Sequence, residues 1–132
     1  MDKNINVLVL AYLGDSIYEI YIREYLIKKG IAKVNDLQKE AIKYVSAKQQ
    51  CNYLKEMLAN NFFNEEEKNI IMRARNHKGS SHPKNTDIVT YKYATGLEAL
   101  IGYLYLNNNK SRIDDIMKYI IGDEECMYME KR

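Results

Sequence analysis

Two acidic residues, Asp15 and Glu98, stand where acids are costly. Asp15 follows Leu13-Gly14 in a run whose apolar residues Leu10, Leu13 and Ile17 recur three and four apart, the spacing of one helix face. Glu98 stands among Ala94, Leu97, Ala99, Leu100 and Ile101, with Gly96 before it and Gly102 after it. A carboxylate in apolar company is unfavourable unless a cation or a hydrogen-bond donor meets it. A glycine inside a helix costs roughly 1 kcal/mol relative to alanine, and it gives backbone room to a ligand or to a neighbouring element. Two such carboxylates facing each other repel unless a cation joins them. Magnesium, with oxygen ligands and several retained waters, is the usual partner of such a pair. Taken singly, each feature also has a structural explanation: Asp15 at the polar boundary of a helix, and Gly14 as room for packing.

The acids must be positioned by helices. The chain has 132 residues, 46% of them apolar, enough for one domain with one core. One Pro and six Gly are too few for a sheet rich in hairpins. The fold expected is all-α. The first helix runs from about Val7 to about Lys29 and stops at Gly30. Asp15, Glu19 and Arg23 share a face of it, and Glu19 with Arg23 has the spacing of an intrahelical ion pair. Asn35 or Asp36 can cap a second helix from about Leu37 to Asn60, interrupted at Ser46-Ala47-Lys48. Asn64 caps a third, opened by Glu65-Glu66-Glu67 and reaching about Asn76, with acids where the dipole favours them. Thr86 or Asp87 caps a fourth, from about Ile88 to Leu106. Ile113, Ile116, Met117, Ile120 and Ile121 mark the last, which Gly122 ends.

The formal charge is only +2, so a nucleic-acid signal has to come from where the charges lie. Between Lys68 and Lys92 the basic residues Lys68, Arg73, Arg75, Lys78, Lys84 and Lys92 are opposed by Asp87 alone. This is a local patch of the kind that meets phosphates. Arg73, Arg75, Asn76, His77, Lys78, Lys84 and Asn85 are the candidate phosphate contacts. His77 and His82, five apart with no third ligand, read as polar loop residues and not as a metal pair. Lys39, Lys43, Lys48 and Lys55 read as a solvated face. The twelve tyrosines suit core or interface positions with a polar tip. Cys51 and Cys126 have no CxxC partner, which excludes a zinc ribbon or disulfide scaffold and fits a reducing compartment. No run approaches the ~20 apolar residues of a membrane span. Val7–Leu10 lacks a small-residue cleavage site and soon meets Asp15 and Glu19, unlike a signal peptide. A cytoplasmic location is expected.

On these residues the chain resembles a known family. Leu13-Gly14-Asp15-Ser16-Ile17 is similar to the signature helix of ribonuclease III, and Thr95-Gly96-Leu97-Glu98-Ala99-Leu100-Ile101-Gly102 to its second acidic helix. Tyr44-Val45-Ser46-Ala47-Lys48, Arg73-Ala74-Arg75-Asn76 and Tyr91-Lys92-Tyr93-Ala94-Thr95-Gly96 resemble the Mini-ribonuclease III branch, which has no domain for binding double-stranded RNA. The resemblance covers nearly the whole chain. It implies a homodimeric, all-helical endonuclease domain over residues 1–122, followed by a polar tail, 123–132. It implies cleavage of double-stranded RNA to 5′-phosphate and 3′-hydroxyl ends, with the ends of the large-subunit ribosomal RNA precursor as substrate. Asp15 matches the catalytic aspartate and Glu98 the metal-binding glutamate, with Mg2+ as cofactor. A large-subunit ribosomal protein is a further candidate partner. Two positions depart from full-length ribonuclease III: Ala11 replaces a glutamate and Thr95 an aspartate, which bears on the number of metals held and on a supporting role for Glu19.

Two other classes remain open at this point. One is a non-catalytic RNA-binding or ribosome-associated module of the same fold, which Ala11 and Thr95 favour. The other is a small metal-dependent nucleotide phosphohydrolase, for which the sequence lacks a His-Asp pair or a repeated Glu-x-x-Glu cluster.

Overall fold

The computed structural model describes residues 5–78, 84 and 87–122. His82, Asn85 and Thr86 of the basic loop, Cys126 and the tail 123–132 lie outside the described residues. Among the described residues there are six helices and no strand: α1 Val7–Lys28, α2 Val34–Val45, α3 Ala47–Ala59, α4 Glu65–Arg75, α5 Ile88–Leu106 and α6 Lys110–Ile121.

Short polar side chains set most of the helix ends. Asn6 opens α1 by accepting from the Leu8 amide. Asn64 and Glu67 form a reciprocal capping box at α4. Asp87 opens α5 by accepting from the Val89 amide, and Asn109 opens α6 by accepting from Arg112 N. Asn61 and Asn108 take the left-handed conformation, with φ of 55° and 59°, as asparagine tolerates better than most residues. The expected interruption at Ser46 proves to be a full break. Ser46 is extended, ends α2, and caps α3 through its hydroxyl. The start of α2 corrects the sequence reading: the helix begins at Val34, after Lys33, with no side-chain cap. Asn35 and Asp36 therefore lie inside the first turn, where Asp36 meets the helix dipole instead of capping.

The core is organised around α5. From Ala94 to Leu104 every residue except Glu98 is buried, as in a helix that is apolar all round. It packs against α1, α3, α4 and α6. Its tightest crossing is with α1, and two glycines make it. A Cβ at Gly14 would lie 1.7 Å from the Glu98 carbonyl oxygen, and one at Gly102 would lie 2.0 Å from that of Leu10. Backbone therefore meets backbone, and any side chain at either position would drive the helices apart. Of the two uses open to Gly14 in the sequence, room for a neighbouring element is the one realised.

A second fixed point joins α4 to α6. Glu67 is 3% exposed. Its carboxylate accepts from Arg112 Nε at 2.7 Å and Nη2 at 2.9 Å, and also from the Asn64 amide. Arg112 Nη2 donates in addition to the Phe62 carbonyl at 2.7 Å, and its guanidinium stacks 4.5 Å from the Phe62 ring centroid.

Candidate active site

The glycine crossing places the two acids. Gly14 precedes Asp15, and the backbone atom it faces belongs to Glu98. The side chains of Asp15 and Glu98 consequently lie close enough for Asp15 to act on the Glu98 carboxyl. Asp15 is exposed and Glu98 half-buried, so Asp15 takes the place at the polar boundary of its helix that the sequence left open to it. Loss of water, then the hydrogen bond and negative charge of Asp15, push the Glu98 carboxyl up to about 9, with Glu19 adding a weaker effect and Gln50 opposing. Near neutral pH and without a cation, the Glu98 carboxyl therefore keeps its proton.

A third side chain, absent from the sequence reading, completes the site. Gln50 is 1% exposed. Its Nε2 donates to Glu98 Oε2 at 3.3 Å and to the Val45 carbonyl at 3.1 Å. Its Oε1 is buried and has no hydrogen-bond partner. The available signal was an amide between Val45 and the apolar residues Cys51 and Leu54 of α3, a polar residue on a core-facing stripe. Tyr18 packs beside this group, fully buried, and donates to the Tyr44 carbonyl at 2.7 Å. Burial, Tyr53 and Glu98 all raise its pKa, so it remains a protonated donor.

The neighbouring positions resolve three sequence-level questions. Glu19 does pair with Arg23, at 2.8 Å, while its charge still reaches Glu98. Ala11 is in the core. Thr95 is buried, and its hydroxyl donates back to the Tyr91 carbonyl at 2.9 Å. Among the described residues no third acid, histidine or cysteine joins Asp15 and Glu98 in a ligand cluster. The donors on hand are two carboxylates and the unpartnered amide oxygen of Gln50. This all-oxygen set, with a suppressed negative charge, fits a hard divalent cation that keeps several waters.

The basic residues do not form one surface. Arg73 and Arg75 are two apart on α4, hence about 200° apart around the axis. Arg73 is exposed, and its charge acts on Tyr103. Arg75 lies 4.7 Å from the centroid of the Tyr93 ring, and Lys55 Nζ lies 5.0 Å from the same centroid. Arg75 also donates to Asn76 Oδ1 at 2.8 Å. Thus α3, α4 and α5 bring together Lys55, Arg75 and Tyr93, a combination of aromatic and cations that neither basic run reveals alone. Lys78 and Lys84 are exposed, and His77 is half-buried.

The same arrangement of helices occurs in known proteins. The family described as the Ribonuclease III domain matches residues 8–109. The chain is 46% identical over 119 residues to the Mini-ribonuclease 3 of Enterococcus faecalis, covering 90% of each chain. It is 48% identical over 118 residues to that of Brevibacillus brevis, covering 89% of this chain and 87% of the other. A crystal structure of a Fusobacterium nucleatum protein superposes with a TM-score of 0.82 at 35% identity, covering 90% of this chain and 95% of the other.

Proposed function

Since this chain belongs to the ribonuclease III family, in its Mini-ribonuclease 3 branch, and is therefore an endoribonuclease, we propose that it cleaves double-stranded RNA with Mg2+ held by Asp15 and Glu98. The observation that carries this reading is the pairing of two carboxyl groups at a glycine-made helix crossing, with Glu98 driven to protonate in the absence of a cation. When bound, a divalent cation supplies Lewis-acid polarisation of a phosphoryl oxygen and a water acidic enough to attack phosphorus. The protein's part is to orient. Asp15 presents an exposed carboxylate from the rim, Glu98 presents one from the buried floor, and Gln50 fixes the rotamer of Glu98. Ala11 and Thr95, both used in packing, leave the carboxylate set smaller than in full-length ribonuclease III. The products carry 5′-phosphate and 3′-hydroxyl ends, and the substrate is the duplex at the ends of the large-subunit (23S) ribosomal RNA precursor. Incubation with that duplex and Mg2+, reading both strands and their end groups, tests the assignment. Binding without any cut would favour the non-catalytic module instead.

The chain works as a homodimer in this reading, because one carboxylate pair serves one strand. Support comes from an exposed apolar stripe along α1, where Tyr12 is 82% and Ile20 63% exposed, close to exposed Val9. Beside it lies a groove of about 650 Å3 lined in part by Leu13, Tyr21, Ile113, Met117 and Ile121. Contiguous apolar surface of this kind marks an interface. Sedimentation equilibrium is expected to give a dimer for the native chain and a monomer for Ile20→Asp. A native monomer at concentrations where both strands are cut contradicts the dimer. No helix among the described residues is long and apolar enough to cross a membrane; the cytoplasm is the compartment we assign.

The grip on RNA is assigned to Arg75, Asn76, His77, Lys78, Lys84 and Asn85, extended by Lys55 next to Tyr93, while Arg73, on the other side of α4, is left out of it. A-form duplexes are held through phosphates and 2′-hydroxyls, so shape outweighs sequence. Replacing Arg75, Lys78 and Lys84 with Ala should weaken binding and reduce the salt slope by roughly 0.9 per lost contact. Cleavage at saturating RNA should largely survive, since the carboxylates lie on α1 and α5. Binding measured at several salt concentrations decides this: an unchanged slope would place the grip elsewhere.

A further inference from the structure

The carboxylate pair leaves one buried polar atom without an explanation: Oε1 of Gln50. The orientation of this amide follows from its partners. The Val45 carbonyl can only accept, so the nitrogen must face it, and the same nitrogen reaches Glu98 Oε2. The oxygen is left without a donor, although a buried acceptor with no partner is costly. Its surroundings include no protein donor within reach. Because Oε1 and Nε2 belong to one amide plane, the orphan lies next to the atom that holds Glu98. A buried polar group with no partner in the protein is one that a bound water or ion can satisfy.

We propose that Gln50 is a positioning residue for the divalent cation: Nε2 holds Glu98 in its ligand orientation, and Oε1 accepts a hydrogen bond from a water of the cation's hydration shell. This rests on the assignment of Asp15 and Glu98 as cation ligands. The helix break at Ser46 is what makes the arrangement possible. Ending α2 at Val45 frees a carbonyl that Gln50, in the first turn of α3, then satisfies. One side chain thereby ties the α2–α3 junction to the floor of the site on α5. Partners of this kind, one step behind the ligand, typically change metal affinity 10- to 100-fold.

The test uses Mg2+ alone on the full chain without RNA, followed by NMR of protein labelled with 15N on glutamine. Only Gln38, Gln49 and Gln50 carry that label, and Gln38 is exposed. The Gln50 side-chain amide should exchange slowly with solvent and shift on titration, with one midpoint. In Gln50→Met the Mg2+ concentration for half-maximal cleavage should rise 10- to 100-fold, while the KM for RNA is unchanged. Gln50→Glu, which keeps the shape and an acceptor but loses the amide donor, should not restore the native midpoint in cleavage. The native-chain titration stands whether or not either variant folds. If native protein binds Mg2+, Glu98→Gln does not, and the Gln50 amide never shifts, the role of Gln50 is overturned while the carboxylate assignment stands. If native protein shows no Mg2+ binding, both fall.

Discussion

Glu98→Gln is expected to abolish cleavage and, in the same protein, to raise its melting temperature in the absence of divalent cations. The activity loss should be on the order of 10³-fold, because several kcal/mol of transition-state stabilisation would depend on the cation proposed to be held by Glu98. Asp15→Asn should lose activity to a similar degree. The gain in stability follows from the raised pKa. A carboxyl with an ordinary value of 4.5 when unfolded and about 9 when folded favours folding only while protonated. Native stability is therefore undiminished below about pH 4.5 and falls as pH rises towards 9. A glutamine has no proton to lose, so the melting-temperature gap between variant and native protein should widen from pH 5 to pH 9. Mg2+ should close the gap by stabilising the native chain alone. Thermal melts at three pH values, with and without Mg2+, measure this directly. A gap independent of pH would mean that Glu98 is already ionised in the free protein, and turnover near the native rate would remove it from the site.

The other large effect is structural. Arg112→Met should destabilise the chain by about 3–5 kcal/mol, the usual cost of stranding a buried charge. Glu67 is left with its charge buried against the Asn64 cap and no guanidinium to meet it, and the Phe62 carbonyl loses its donor. Adding Glu67→Gln should recover much of that loss, because an amide oxygen still accepts from Asn64 and no uncompensated charge remains. Urea denaturation of the two variants measures the difference. A loss below about 1 kcal/mol for Arg112→Met would put this pair among ordinary surface ion pairs.

The all-helical class, the caps Asn64 and Asp87 and the two acids could be read from one dimension because their causes are local. Asn64, Asp87 and Gly122 act within a turn of their own position. The apolar stripe of α6 follows the helix period. The acids were visible because a carboxylate among leucines and alanines breaks that pattern whatever packs against it. Where local cues competed, the reading slipped. Asn35 and Asp36 are good caps, but α2 starts at Val34, three residues before the expected Leu37, which puts both inside the first turn with Asp36 at the helix dipole.

Everything that depended on residues distant in the chain needed the folded molecule. That Gly14 faces the backbone at Glu98 and Gly102 the backbone at Leu10 is a relation across more than eighty residues, and no periodicity encodes it. Nor does the sequence order show that Asp15 is exposed while Glu98 is half-buried, since burial depends on which helix covers which face. Gln50 looked like one more polar residue on α3 until α5 was laid against it. Lys55 and Arg75 belonged to separate basic runs until both stood over Tyr93. Helical periodicity fixes which side chains share a face, because that is set by 3.6 residues per turn. Which faces meet is set by the close approach that two glycines permit, and that approach brings Asp15 and Glu98 together.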